Sequence, residues 1–295
     1  MRISDQGRLH NRQQYLSSAA SHAMDVENRL ATGKRIAKMS DDPAGATLVA
    51  GYRNTIAFET QMRRNIAGGL SFIEASEAAL SSGTDALQRV RELTVQASSG
   101  TLSADERNLI SLEVNQLIGQ LAQVANTNFA GAYVFAGSKS NAAAYLVTGS
   151  PPTAITYQGD AIPRNRRISR EDTIAVNTTG GQVFGSTFTD LIALRDDLAS
   201  GAPPTTIATH LLTVDAGLQR MLDARADLGA RANRMDAALS VSERSDTDLQ
   251  LLRSSIEEID LPATIVEFQN AQRSYEAALG AIGRTADMSL LNFLR

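Results

Sequence analysis

The chain has 295 residues and a mass of 31.5 kDa, and its 43% hydrophobic and 20% charged content excludes a low-hydropathy disordered polymer. Twenty-eight Lys and Arg against 32 Asp and Glu give a formal charge of −4, which argues against a dedicated nucleic-acid binder. Cysteine is absent, so disulfides, thiolate metal sites and cysteine nucleophiles are excluded.

The length sets a prior of two domains, at roughly 150 residues each. The opening MRISDQGRLHNRQQ is polar and lacks the apolar stretch of a secretory signal. No run of about 18 apolar residues offers a membrane-spanning helix. Leu9, Leu16, Ala19, Ala23, Val26 and Leu30 follow three-and-four spacing and predict a first helix. Asp41-Asp42-Pro43 reads as the start of a second, with an acidic N-cap and proline in the first turn. No proline lies between Pro43 and Pro151 or between Pro204 and Pro262, which favours long helices in both blocks. Ile66, Leu70, Ile73, Leu80 and Leu87 continue the stripe, with Glu77 interrupting it. Gly68, Gly69, Gly83 and Gly100 count against one unbroken rod.

Ser103 with Glu106 is a capping box, and Ile110, Val114, Leu117, Leu121 and Val124 follow at helical steps. The middle differs. Seven of the 14 Phe and Tyr residues lie between Phe129 and Phe188, and residues 145–188 hold three prolines and short β-branched runs. This predicts a small β-rich insertion. Helical spacing resumes at Val214, Leu218, Met221, Leu228, Ala232, Met235 and Leu239. After Asp260 and Pro262 comes the clearest stripe: Ile265, Phe268, Tyr275, Leu279, Ile282, Leu290 and Phe293. The fold class expected is mainly α. Both chain ends build a long antiparallel helical rod of coiled-coil type, with a β-rich insertion domain between them.

Catalytic patterns are missing. His10 and His22 stand twelve residues apart, too far for a metal pair on one helical turn, and read as a solvated face. No phosphate-cradling glycine loop, nucleophile elbow or zinc-protease motif occurs. Arg164, Arg166, Arg167 and Arg170 form a basic cluster that Glu171 and Asp172 follow at once. It reads as a solvated strand face or a subunit contact. Asn177-Thr178-Thr179 is an acceptor sequon of a kind common by chance. No enzyme, metal or cofactor is expected.

Three ordered segments carry a resemblance. LATGKRIAKMSDDPAG (30–45) looks like the junction after the first helix of bacterial flagellins. LQRVRELTVQASSGTLS (87–103) resembles their long-helix segment, and YEAALGAIGRTADMSLLNFLR (275–295) their terminal helix. The chain is thus identified as a member of the flagellin-like family. Within it, the MRIS start, the G-x-Y-x-F-x-G stretch on Gly131, Tyr133, Phe135 and Gly137, and TYQGD (156–160) with NTTGGQVFG (177–185) resemble the junction proteins between hook and filament. A divergent filament subunit is the alternative.

The resemblance implies a structural flagellar part with three layers. Residues 1–35 and 260–295 would form the inner axial helices, 44–138 and 203–255 a helical rod, and 139–202 the outer β-rich insertion. Assembly would run through Leu9, Leu16, Val26, Leu30, Ile265, Phe268, Tyr275, Leu279, Ile282, Leu290 and Phe293. The implied partners are further copies of the chain, hook-associated protein 1, flagellin and a flagellar export chaperone, with no nucleic acid and no membrane insertion. The implied location is extracellular, reached by type III export without a cleaved signal peptide. In flagellins the stretch matching 87–103 is read by Toll-like receptor 5; the matching positions here are Arg89, Leu93 and Glu113.

Overall fold

A computed structural model describes the backbone of residues 2–293 and the burial of residue 7 and residues 10–283. Three helices come first: α1 (Arg2–Thr32), α2 (Pro43–Ala97) and α3 (Ala104–Ala125). Six short strands follow: β1 (Asn128–Phe129), β2 (Ala132–Tyr133), β3 (Tyr145–Thr148), β4 (Ala154–Tyr157), β5 (Asn165–Arg167) and β6 (Thr173–Ala175). Four helices complete the chain: α4 (Gly180–Val183), α5 (Thr187–Ala199), α6 (Pro204–Glu257) and α7 (Leu261–Phe293). The strands form three separate antiparallel hairpins, β1–β2, β3–β4 and β5–β6.

The helix starts follow local chemistry. Pro43 opens α2, and the Asp42 carboxylate accepts the Gly45 N–H at 2.9 Å. The capping box of α3 is complete: Ser103 Oγ accepts the Glu106 N–H, and Glu106 Oε2 accepts the Ser103 N–H at 2.7 Å. Asp260 accepts the Ala263 N–H at 3.2 Å where α7 begins. Gly68, Gly69 and Gly83 do not interrupt α2. At Gly69 a Cβ would collide with Met235 Cε of α6 and press on Val176 Cγ1 at 3.1 Å, so glycine is there for close approach.

The chain packs as two compact units, residues 1–58 with 245–295 and residues 59–244. The divisions fall inside α2 and α6. In the first unit α1 and α7 lie antiparallel, with Val26, Thr264 and Ala271 buried. In the second, Ile66, Ile73, Leu80 and Leu87 of α2 meet Val114, Ile118 and Leu121 of α3, and Val214, Met221, Leu228 and Met235 of α6. Glu77, the break in the α2 stripe, is partly exposed and pairs with Arg225 of α6 at 2.7 Å.

The segment 139–202 is not purely β, and it does not stand apart from the helices. It contains α4 and α5. Tyr145, Ile155, Ile168, Ile174, Val183, Phe184 and Phe188 enter the same core as α2, α3 and α6. Phe135, Tyr145, Phe184 and Phe188 form a ring cluster with centroids 5.0–5.5 Å apart. Such rings bury 150–250 Å² each in general, so covering them against the helices is strongly favourable. That is why the hairpins are pulled onto the helices.

Candidate functional site

The surface expected to carry assembly lies on α1 and α7. Val26 is fully buried, and Leu16, Leu30, Phe268, Tyr275 and Ile282 are half-buried. Ile265 and Leu279 each keep 44% of their surface exposed. Leu9, Leu290 and Phe293 lie outside the residues whose side chains are described. The stripe is therefore only partly consumed by the pairing of the two helices. Ala20, Ala23, Met24, Phe268 and Tyr275 line a groove of about 300 Å³, with Glu27 and Gln272 beside them. Small residues set its depth, because they let two helices approach closely without filling the space above. Arg29 reaches Glu267 at 3.6 Å across the pair. Exposed Leu261 and Val266 add apolar surface on α7. Sequence reasoning missed Thr264 and Ala271 at the helix contact, since neither is a large apolar residue.

The segment 30–45 that carried the first resemblance builds a joint. Gly33 adopts φ +68°, which turns the chain out of α1. The Gly33 carbonyl then accepts the Ile259 N–H at 3.1 Å, and the Glu257 carbonyl accepts the Arg35 N–H at 2.7 Å. Lys34 and Glu258 pair as an antiparallel bridge. Arg35 donates through Nε and a terminal nitrogen to the Ile256 carbonyl at 3.2 and 2.9 Å, closing the end of α6, and reaches Asp42 Oδ2 at 3.4 Å. Asp41 Oδ2 accepts the Ala37 and Lys38 N–H groups, and the Lys38 bond holds its carboxyl below the usual range.

One carboxylate sits at the centre. Glu257 Oε1 takes Lys34 Nζ at 2.7 Å and an Arg53 nitrogen at 2.6 Å, and Oε2 faces Arg253 at 3.6 Å. Its side chain is only 5% exposed. Burial opposes its charge, but the bonds from Lys34 and Arg53 outweigh burial and hold the carboxyl below the usual range. Helical spacing links only Arg253 to Glu257; Lys34 and Arg53 stand more than 200 positions from it in sequence, so no spacing rule could have brought them in.

The glycine-aromatic motif closes a second, local structure. Gly131 and Gly137 have φ of +82° and +69°, and a Cβ on Gly137 would strike Asp160. Asp160 accepts from the Ser138 hydroxyl, the Ser138 N–H at 2.7 Å and the Ile162 N–H at 3.1 Å. The Ser138 hydroxyl leads in keeping its carboxyl below the usual range. Tyr157 Oη lies 3.0 Å from the Phe135 carbonyl and 2.8 Å from that of Asp160.

The remaining candidates separate. Arg89 and Glu113 are exposed and form an ion pair at 2.8 Å, with Glu92 on Arg89 at 3.0 Å. Leu93 is 2% exposed and belongs to the core, so the three do not form one surface triad. Arg164 lies over the Phe72 ring at 5.1 Å, while Arg166 and Arg167 are exposed on β5. Asn177, Thr178 and Thr179 are buried, which hides the sequon. His10 and His22 are exposed on α1.

The family model described as the bacterial flagellin N-terminal helical region matches residues 3–140, and that for the flagellin C-terminal helical region matches residues 211–294. The chain is 31% identical over 250 residues to the flagellar filament 31.3 kDa core protein of Treponema maltophilum, covering 84% of this chain and 82% of that one. It is 26% identical over 318 residues to flagellar hook-associated protein 3 of Escherichia coli strain K12, covering 98% of each chain. A solved structure of a putative flagellar hook-associated protein from Vibrio parahaemolyticus superposes with a TM-score of 0.68 at 18% identity, covering 74% of this chain and 100% of that one. At that identity the likeness is one of fold.

Proposed function

The chain belongs to the bacterial flagellin family, and from that premise we propose that it is the adaptor between hook and filament. It is a structural component of the flagellum, as its relatives are. One observation favours the junction over the filament: the likeness to the Escherichia coli hook-associated protein 3 runs end to end, through the middle segment, over 98% of both chains. The likeness to the Treponema maltophilum filament protein covers 84% of this chain. That likeness has the higher identity, 31% against 26%, and it is what keeps a divergent filament subunit as the second reading.

In this proposal the helices of 1–35 and 260–295 form the inner axial layer, 44–138 and 203–255 the rod, and 139–202 the outward layer. The half-exposed stripe of α1 and α7 would be covered by the same helices of neighbouring copies. A head-to-tail contact of this kind generates rings and helical polymers instead of closed pairs. Hook-associated protein 1 would cover the hook side and flagellin the filament side. Before assembly, an export chaperone would mask α7, whose exposed Leu261, Ile265, Val266 and Leu279 are suited to a helix-binding groove. The end point is extracellular, reached through the flagellar type III apparatus.

The experiment is deletion of the chain in its own host. A junction protein predicts that hooks persist while flagellin leaks, unpolymerised, into the medium. A filament subunit predicts that no flagellin is lost to the medium and that shortened or altered filaments remain.

A further inference from the structure

Residues 33–42 have little apolar material of their own to hold them. Within the linker Ile36 alone is buried, while Lys34, Arg35, Ala37, Lys38, Met39, Ser40 and Asp41 are exposed. Yet the backbone runs a fixed course, and the bonds that fix it converge on the last turn of α6. The backbone of Glu257 accepts from Arg35 at 2.7 Å and from Ile36 at 3.4 Å. Its side chain takes Lys34 of the linker, Arg53 of α2 and Arg253 of α6. Three cations on one carboxylate are more than neutralisation requires. What they share is that each comes from a different stretch of the first unit.

We propose that Glu257 is the positioning residue of this joint: its buried carboxylate locks the 33–42 linker to the end of α6, and so sets the point from which α1 leaves to pair with α7. The chemistry favours a lock over a passive contact. A carboxylate that has lost its water and accepts two hydrogen bonds from cations on one oxygen cannot leave those cations without standing unpaired away from solvent, although the cations themselves reach water. Surface ion pairs lack this penalty. The Ile259–Gly33 and Lys34–Glu258 backbone pairings extend the lock past Glu257 to the first residues before α7. Arg35, bonded to both Ile256 and Asp42, ties the same point to the start of α2. The proposal stands on the joint alone and holds whether or not the flagellar assignment does.

The lysines of the chain provide the test. There are three: Lys34 and Lys38 in the linker, and Lys139 in the second unit. A lysine-specific protease acting on the unassembled 295-residue chain therefore reports the linker and an internal control in one digest. Glu257→Gln keeps the size of the side chain and removes its charge. It is expected to speed cleavage at Lys34 and Lys38 by about tenfold or more while leaving Lys139 within twofold of the parent. Glu257→Asp, which keeps the charge on a shorter arm, is expected to fall between. In the parent, raising salt should speed linker cleavage; in Glu257→Gln it should not. Linker cleavage unchanged in Glu257→Gln overturns the proposal. So does equal acceleration at all three lysines, which would make Glu257 a residue of general stability.

Discussion

Arg225 of α6 donates twice to one carboxylate oxygen of Glu77 on α2, at 2.9 and 2.7 Å. The pair sits where the apolar stripe of α2 is interrupted, with side chains 30% and 42% exposed. Exposed pairs of this kind contribute about 0–1 kcal/mol, because water screens them and two long side chains must be held. Glu77→Ala should therefore lower stability by less than about 1 kcal/mol. Leu87→Ala, which empties a fully buried position of the core, should cost about 2–5 kcal/mol. Denaturant melts of the two variants decide the order; the reverse ranking would mean that the ion pair, and not the stripe, joins these helices.

Removing the middle segment is expected to be damaging. Residues 142–200 supply Tyr145, Phe184, Phe188, Leu191, Leu194 and Leu198 to the core that α2, α3 and α6 share. Replacing them with a short Gly/Ser linker should expose the facing sides of those helices and yield an aggregating or poorly folded product. The point variant Phe184→Ala should cost about 3–5 kcal/mol. In a unit of this size that corresponds to a fall in Tm on the order of 10 °C. A deletion protein that melts cooperatively near the parent temperature would show that the segment is separable after all.

Receptor recognition, which the resemblance raises for Arg89, Leu93 and Glu113, divides by burial. Arg89 and Glu113 are at the surface and Leu93 is in the core. In a reporter-cell assay with purified protein, Arg89→Ala should reduce any Toll-like receptor 5 response at unchanged stability. Leu93→Ala should lower Tm, and below that temperature leave the response intact. A specific loss of response in a fully folded Leu93→Ala protein would contradict this placement.

Acid should loosen the joint around Glu257. Its carboxyl is held below the usual range in the folded chain, facing Lys34, Arg53 and Arg253, with Glu258 next to it in sequence and Asp42 paired to Arg35 of the linker. A carboxylate with a depressed folded pKa contributes stability that is complete above its unfolded value, about 4.3, and is lost as pH falls through the folded value. Protection of the Arg35 and Ile36 amides, corrected for intrinsic exchange, should therefore hold from pH 7 to about 5 and decline below about 4. Protection that declines between pH 7 and 6 would assign the effect to another group.

The terminal pair should gain order on assembly. In one copy Ile265 and Leu279 remain 44% exposed, and Val26 is the one large aliphatic side chain on α1 that is fully buried among the described residues. Backbone ordering costs about 1–2 kcal/mol per residue, and isolated helices are marginal in water. The half-covered stripe cannot offset that cost until neighbouring copies cover its open side. Amides of residues 265–283 should exchange rapidly in the soluble chain and slowly in assembled flagella. Phe268→Asp, with a charge in the groove beside Ala20 and Met24, should block incorporation while leaving the melt of residues 59–244 unchanged.

Much of this architecture was legible in the sequence because its causes are local. Asp42-Pro43, Ser103 with Glu106, and Asp260 each announce a helix start through bonds within three residues. The stripes from Ile66 to Leu87 and from Val214 to Met235 became core where expected. α5 was missed although Leu191, Leu194 and Leu198 carry helical spacing, because prolines and glycines in the preceding stretch set the reading for the whole segment. Gly69 and Gly83 of α2 looked like breaks and are contact points for Met235 and Met221. The apolar row proposed to carry assembly was legible as a row, but not how little of it one copy buries. The Glu257 cluster was invisible, since Lys34 and Arg53 meet it only after the chain has turned back on itself.

The most direct test of the central claim is the position of the chain on intact flagella by immunogold electron microscopy. Label should be confined to a narrow band where hook meets filament, with a few copies per flagellum. Label distributed along the length of the filament would contradict it and make the chain a filament subunit.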